Sequence, residues 1–139
     1  IIEGRPSLGI ANLVPVVVTL ALIAASMRYL GVSFNAMTAT ILSITIGLGV
    51  DYSVHTTHRF VDEYEKSHDT YDALFRTLRG TGGALTGSML TTTTGIGVLV
   101  LAITPILGQF GLMTALSVFY SYLTSVIVLP PTLVLWTRL

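Results

Sequence analysis

The 139-residue chain has no cysteine, and only 10% of its residues are charged. Without thiols it can form no disulfide, thiolate metal site or cysteine nucleophile. The scarcity of charge excludes a water-covered surface, since soluble domains of this size carry about a quarter charged residues. Neither sign is in excess: seven basic residues face seven acidic ones. A nucleic-acid partner gripped through its phosphates is therefore not expected. No glycine loop has the setting or spacing of a phosphate cradle, and no nucleophile has a base and an orienting third group beside it. The chain is expected to be neither an enzyme nor a holder of a cofactor.

What is present is apolar length. Hydrophobic residues make up 52% of the chain and its mean hydropathy is +0.78. Charges and helix breakers divide it into spans of bilayer length. The pattern predicts an all-α membrane protein: four transmembrane helices at about residues 8–29, 34–58, 83–104 and 109–136, within a bundle covering 6–139. Pro15 falls inside the first span, Gly31 makes the turn after it, and Ser33 and Asn35 are the candidate caps of the second. Not one charged residue lies between Gly80 and Thr137, and Thr104-Pro105 with Gly108 break that stretch in two. The last helix is expected to end near Pro130-Pro131, with Trp136 and Arg138 at an interface. Residues 1–5 include Ile2-Glu3-Gly4-Arg5, a protease-site sequence, and are read either as an engineered remnant or as a native cytoplasmic end.

The connector, residues 59–80, is the one soluble-looking segment. Asp69 stands at a cap position, Arg76 and Arg79 lie near the far end, and Gly80 is a stop signal. Tyr71, Leu74, Phe75 and Leu78 make one apolar stripe, which predicts a short amphipathic helix on the membrane surface. A connector packed on the helix ends is the alternative. With four spans, both termini and the connector share a side holding Arg5, Arg59, Lys66, Arg76, Arg79 and Arg138, against Arg28 on the other. That side is expected to be cytoplasmic, in a multi-pass protein of the cell membrane.

Asp51 is the carboxylate expected within a span, where an ionisable group is costly and so points to function. The alternative is an interfacial position, if the second helix enters the membrane at Gly31. Gly47, one turn earlier, would let another helix come close on the same face. A desolvated carboxylate can load and release a proton, and Tyr52 offers a hydroxyl beside it. In the third span Gly87, Thr91, Thr94 and Val98 share a face, and Ser88 adds a hydroxyl. Thr91, Thr94 and Ser88 are thus supporting candidates, although threonines in membrane helices also bond their own backbone. His55, His58 and Asp62 follow Asp51 on one face toward the connector. They read as interfacial histidines or as a proton path; their spacing is not that of a zinc protease, and no metal is expected.

The run Ile46-Gly47-Leu48-Gly49-Val50-Asp51-Tyr52-Ser53-Val54-His55, followed by His58-Arg59-Phe60, resembles a coupling helix of the resistance-nodulation-division (RND) superfamily. The similarity is to its MmpL, hopanoid-transporter and Patched-like branch. Asn12-Leu13-Val14-Pro15, Gly31 with Asn35, Gly108-Gln109-Phe110-Gly111 and Leu129-Pro130-Pro131 are similar as well. The resemblance implies a half-bundle, helices three to six or nine to twelve of a twelve-helix transporter, and the end soon after the last span favours the second half. It implies Asp51 and Tyr52 as the proton- or sodium-coupling centre of an exporter of lipids or other hydrophobic compounds. The implied partners are membrane lipids, that substrate, and the remaining helices and external domains of the parent. Two other readings stand beside it: a lipid- or sterol-sensing bundle without transport, and a component like SecDF, whose comparable Asp usually precedes Ala or Arg rather than Tyr.

Overall fold

A computed structural model describes residues 6–137, with side chains from Leu8 onward. Arg5, Arg138 and residues 1–5 of the sequence reading lie outside the described residues. All regular structure within them is helical: α1 (Pro6–Leu30), α2 (Ala36–Ser67), α3 (Thr70–Gly97), a 3-10 turn (Val98–Leu101), α4 (Pro105–Ile127) and α5 (Leu129–Thr137). Four helical stretches are long and apolar enough to cross a membrane, α4 and α5 counting as one.

Local chemistry explains most boundaries. α1 passes through Pro15, whose carbonyl accepts a hydrogen bond from the Thr19 hydroxyl. It stops at Gly31, where φ is +67°, and the Val32 N–H donates back to the Met27 carbonyl. That left-handed exit closes helices with little strain only at glycine. Asn35, not Ser33, caps α2: its Oδ1 accepts from the Met37 and Thr38 N–H groups, while Thr38 Oγ1 accepts from the Asn35 N–H. Pro105 occupies the first turn of α4, where its missing donor costs nothing.

The connector differs from the sequence expectation. α2 is 32 residues long, about 48 Å, and outruns a hydrocarbon core of about 30 Å. It ends at His68, a left-handed residue with φ 51°. Asp69 then caps α3 by accepting from the Tyr71 and Asp72 N–H groups. α3 continues without a break through Gly80 to Gly97. There is thus no separate helix lying on the surface; a helical hairpin rises out of the spans instead. Gly80 fails as a stop because it has no left-handed φ, and a glycine inside a helix costs only about 1 kcal/mol. The predicted stripe is split: Leu74 packs against the core at this end, and half of the stripe does not. Tyr71 and Phe75 are exposed, and the buried positions of the α3 arm are Ala73 and Thr77, against Phe60 and Glu63 on the α2 arm. At the far end the chain likewise continues past Pro130-Pro131, which sit in the first turn of α5.

α2 and α4 pack against each other and against both other spans, so α1 and α3 flank them on opposite sides. Three apolar clusters set the levels of the bundle. Leu8, Phe60, Ala73, Leu129 and Leu133 pack together at one end, which brings the start of α1, the hairpin and α5 to a common side. Ile23, Met27, Ile41 and Met113 fill the opposite end. Tyr52, Met89 and Val118 lie between. α1, α2 and α4 are further joined by buried polar pairs: Asn12–Thr57, Thr19–Thr124, Thr45–Ser117 and Thr56–Ser125. α3 stands apart: 6% of its apolar window is buried, against 50% for the last span.

Candidate functional site

Helix pairing gives the depth of Asp51. A Cβ placed on Gly49 would lie 3.3 Å from Val16 Cγ2, and Thr57 donates to Asn12 Oδ1. Asp51 therefore stands level with the α1 backbone near Pro15, about 10 Å inside the span that starts at Leu8. The α4 register agrees, because Thr45 meets Ser117 and Thr56 meets Ser125, which puts Asp51 near the level of Ser121. These levels set Asp51 beside the apolar part of α1 rather than beside its end.

Its direction is another matter. The Asp51 side chain is 68% exposed and lines an open groove of about 500 Å³ between α2 and α3. Tyr52, next in the chain and a 100° step around the helix, is 5% exposed and packs into the bundle. The Tyr52 ring meets Tyr122 edge-on at 6.5 Å, and the Tyr122 and Thr86 hydroxyls are hydrogen-bonded at 2.7 Å. The partner of Asp51 is not Tyr52 but His55, whose Nε2 lies 3.3 Å from Asp51 Oδ1.

The groove gathers Asp51, Tyr52, His55 and His58 from α2 and Ser88 from α3, together with Arg59 and Asp62. Two carboxylates thus face one guanidinium, and that guanidinium is already committed. Arg59 Nη2 lies 2.8 Å from Glu63 Oε1, and the guanidinium reaches across to α3, its Nε 3.6 Å from where a Gly80 Cβ would sit. The arrangement can bind a cation or pass a proton along α2. Among the described residues, no cluster of three or more His, Asp or Glu is placed to hold a metal ion.

The remaining sequence candidates lie elsewhere. Gly47 is exposed, and a Cβ there would meet nothing within 4 Å; the glycine that admits a neighbouring helix is Gly49. Thr91 and Thr94 are exposed on α3 outside the groove, and Thr91 donates to the Gly87 carbonyl of its own helix. The sequence reading passed over Arg59 and Thr81 as parts of the groove, and the buried hydroxyls of α4. The latter carry a visible signal: Ser117, Ser121 and Thr124 recur at i, i+4 and i+7.

The MMPL family model matches residues 10–139 of the chain. A membrane protein of Methanocaldococcus jannaschii is 30% identical over 134 residues, covering 96% of this chain and 34% of that protein. The ActII-3 membrane protein of Streptomyces coelicolor is 30% identical over 109 residues, covering 78% of this chain and 15% of that protein. The chain thus spans about a third of one of these relatives and less of the other. No solved structure matches it significantly.

Proposed function

The chain belongs to the MMPL family, and from that premise we propose that it is the membrane-embedded proton-coupling module of an RND-type exporter. The parent protein moves lipids or other hydrophobic compounds outward, driven by the proton motive force. Asp51 is the protonatable group, and its two charge states favour different packings of the helices around it. The observation that carries this reading is a carboxylate level with α1 about 10 Å inside its apolar span, lining a polar groove toward the connector end. An ionisable group at the centre of a membrane helix costs about 2.5–3.5 kcal/mol on insertion scales, and one within the span bears part of that cost, so it calls for a use. The connector end is cytoplasmic on this reading, with Arg59, Lys66, Arg76 and Arg79 there against Arg28 at the other end. The work is transport, with no covalent chemistry on the cargo.

The test is proton flux through the intact parent protein in liposomes loaded with a pH-sensitive dye, with a fluorescent phospholipid as cargo probe. Asp51→Asn keeps the shape and removes the titratable group. Flux and probe movement both fall to the level of empty liposomes if the reading holds. If both persist in Asp51→Asn, Asp51 is structural and not the coupling group; if the wild type itself shows neither, a lipid-binding bundle without transport takes its place.

A further inference from the structure

The polar groove does not end at Asp51. His55, His58 and Asp62 follow it by four, seven and eleven residues along α2, and all four line the same cavity. Along the helix axis these steps correspond to about 6, 10 and 16 Å. Asp51 lies about 10 Å inside the span, so the series covers the distance from Asp51 to its connector end.

The surroundings leave this route to α2 alone. The α3 wall of the groove is Gly80, Thr81, Ala84, Leu85 and Ser88, none of them titratable. α1 and α4 contribute nothing to the lining, and the α4 tyrosine nearest to it, Tyr122, is turned to Thr86 and Tyr52. The titratable and charged groups that line the groove with His55 are therefore Asp51, Tyr52, His58, Arg59 and Asp62, with the Tyr52 ring packed on Tyr122. Arg59 is held by the largely buried Glu63, which leaves His55 as the ion-pairing partner of Asp51.

We infer that His55 is the immediate proton-exchange partner of Asp51, and that the α2 face through His58 to Asp62 is the proton's route between Asp51 and the connector side. The inference rests on Asp51 being the coupling group. In the outward-bound-cargo cycle, protonated Asp51 gives its proton to the free Nε2 of neutral His55, leaving a carboxylate and an imidazolium. The imidazolium releases the proton from Nδ1 to water in the groove and on to His58 and Asp62. The ring, now protonated at Nε2, regains its starting tautomer by exchange with the same water. Imidazole suits the task because one ring nitrogen can accept a proton while the other gives one up.

The experiment is proton flux in liposomes carrying the intact parent protein, comparing wild type, Asp51→Asn, His55→Gln and His55→Ala. His55→Gln is expected to lower flux by about 100-fold, the low end for removing a positioned proton-transfer group. The residual flux loses the pH profile of the wild type. Free imidazole added to His55→Ala enters the open groove and restores flux, which a purely structural histidine would not permit. Wild-type flux and pH profile in both His55 variants, with Asp51→Asn inactive, overturns the route and leaves the coupling reading standing. So does flux lost in His55→Ala that imidazole fails to restore. Wild-type flux in Asp51→Asn removes the coupling reading itself, and the route with it.

Discussion

Gly111 carries the tightest approach in the bundle and so the sharpest stability prediction. A Cβ there would lie 2.6 Å from Leu99 Cβ, 3.0 Å from the Ile96 carbonyl oxygen and 3.1 Å from the Leu99 carbonyl carbon. Two of these atoms are backbone and the third is fixed to it, so no rotamer change relieves the contact. One turn earlier on α4, a Cβ on Gly108 would come no nearer than 3.4 Å, to the Val100 carbonyl oxygen. Glycine to alanine inside a helix gains about 1 kcal/mol from propensity. At Gly111 that gain meets an overpacking cost of about 1–3 kcal/mol, and the backbone contacts place the cost toward the upper end. Gly111→Ala is expected to destabilise by about 1–2 kcal/mol net, and Gly108→Ala to be neutral or to stabilise by up to about 1 kcal/mol. The difference of about 2 kcal/mol is roughly 30-fold in the unfolding equilibrium constant. Reversible unfolding in mixed micelles with rising SDS reads it directly. Gly111→Ala equal to or more stable than Gly108→Ala would refute the close seating of α4 on the 3-10 turn.

Two further outcomes test the packing and the orientation. A double-mutant cycle on Thr45→Val and Ser117→Ala, read by the same unfolding assay, should give a coupling of about 0.6 kcal/mol and not above about 1.7, the range for hydroxyl bonds between membrane helices. Single cysteines at Lys66 and Ser33, in a parent otherwise free of cysteine, should react with an impermeant maleimide from opposite faces, position 66 only from the cytoplasm; the reverse pattern would invert the orientation.

The spans were legible because length and charge suffice to mark them, and Asn35, Gly31 and Pro105 each act through a rule that is local to a few residues. The hairpin was not, for a physical reason. Asp69 does cap a helix, but nothing local reveals whether that helix ends at Gly80 or runs on, since a glycine only weakens a helix unless its φ turns positive. Direction around α2 was lost for a similar reason. Gly47 shares a face with Asp51, and the reading took that face to be the packed one. The buried face is the stripe Thr45, Gly49, Tyr52, Thr56, Phe60 and Glu63, spaced three and four apart, and it leaves Asp51, His55, His58 and Asp62 on the flank. That stripe was present in the sequence, and it is marked by the company of other small residues rather than by a glycine's distance from the carboxylate.

The same geometry decides how the Asp-Tyr pair has to be tested. Tyr52 and Asp51 are neighbours in sequence, yet one side chain packs against Tyr122 and Met89 while the other opens into the groove. The Tyr52 carbonyl also accepts hydrogen bonds from both Thr56 and Ser125, tying α2 to α4 at the level of the carboxylate. A substitution at Tyr52 therefore changes the seat of the α2 backbone from which Asp51 and His55 project, and a loss of flux there would mix packing with proton chemistry. Substitutions at Asp51 and His55 are free of that ambiguity, because their side chains occupy open space and removing them leaves the buried seam of hydroxyls intact.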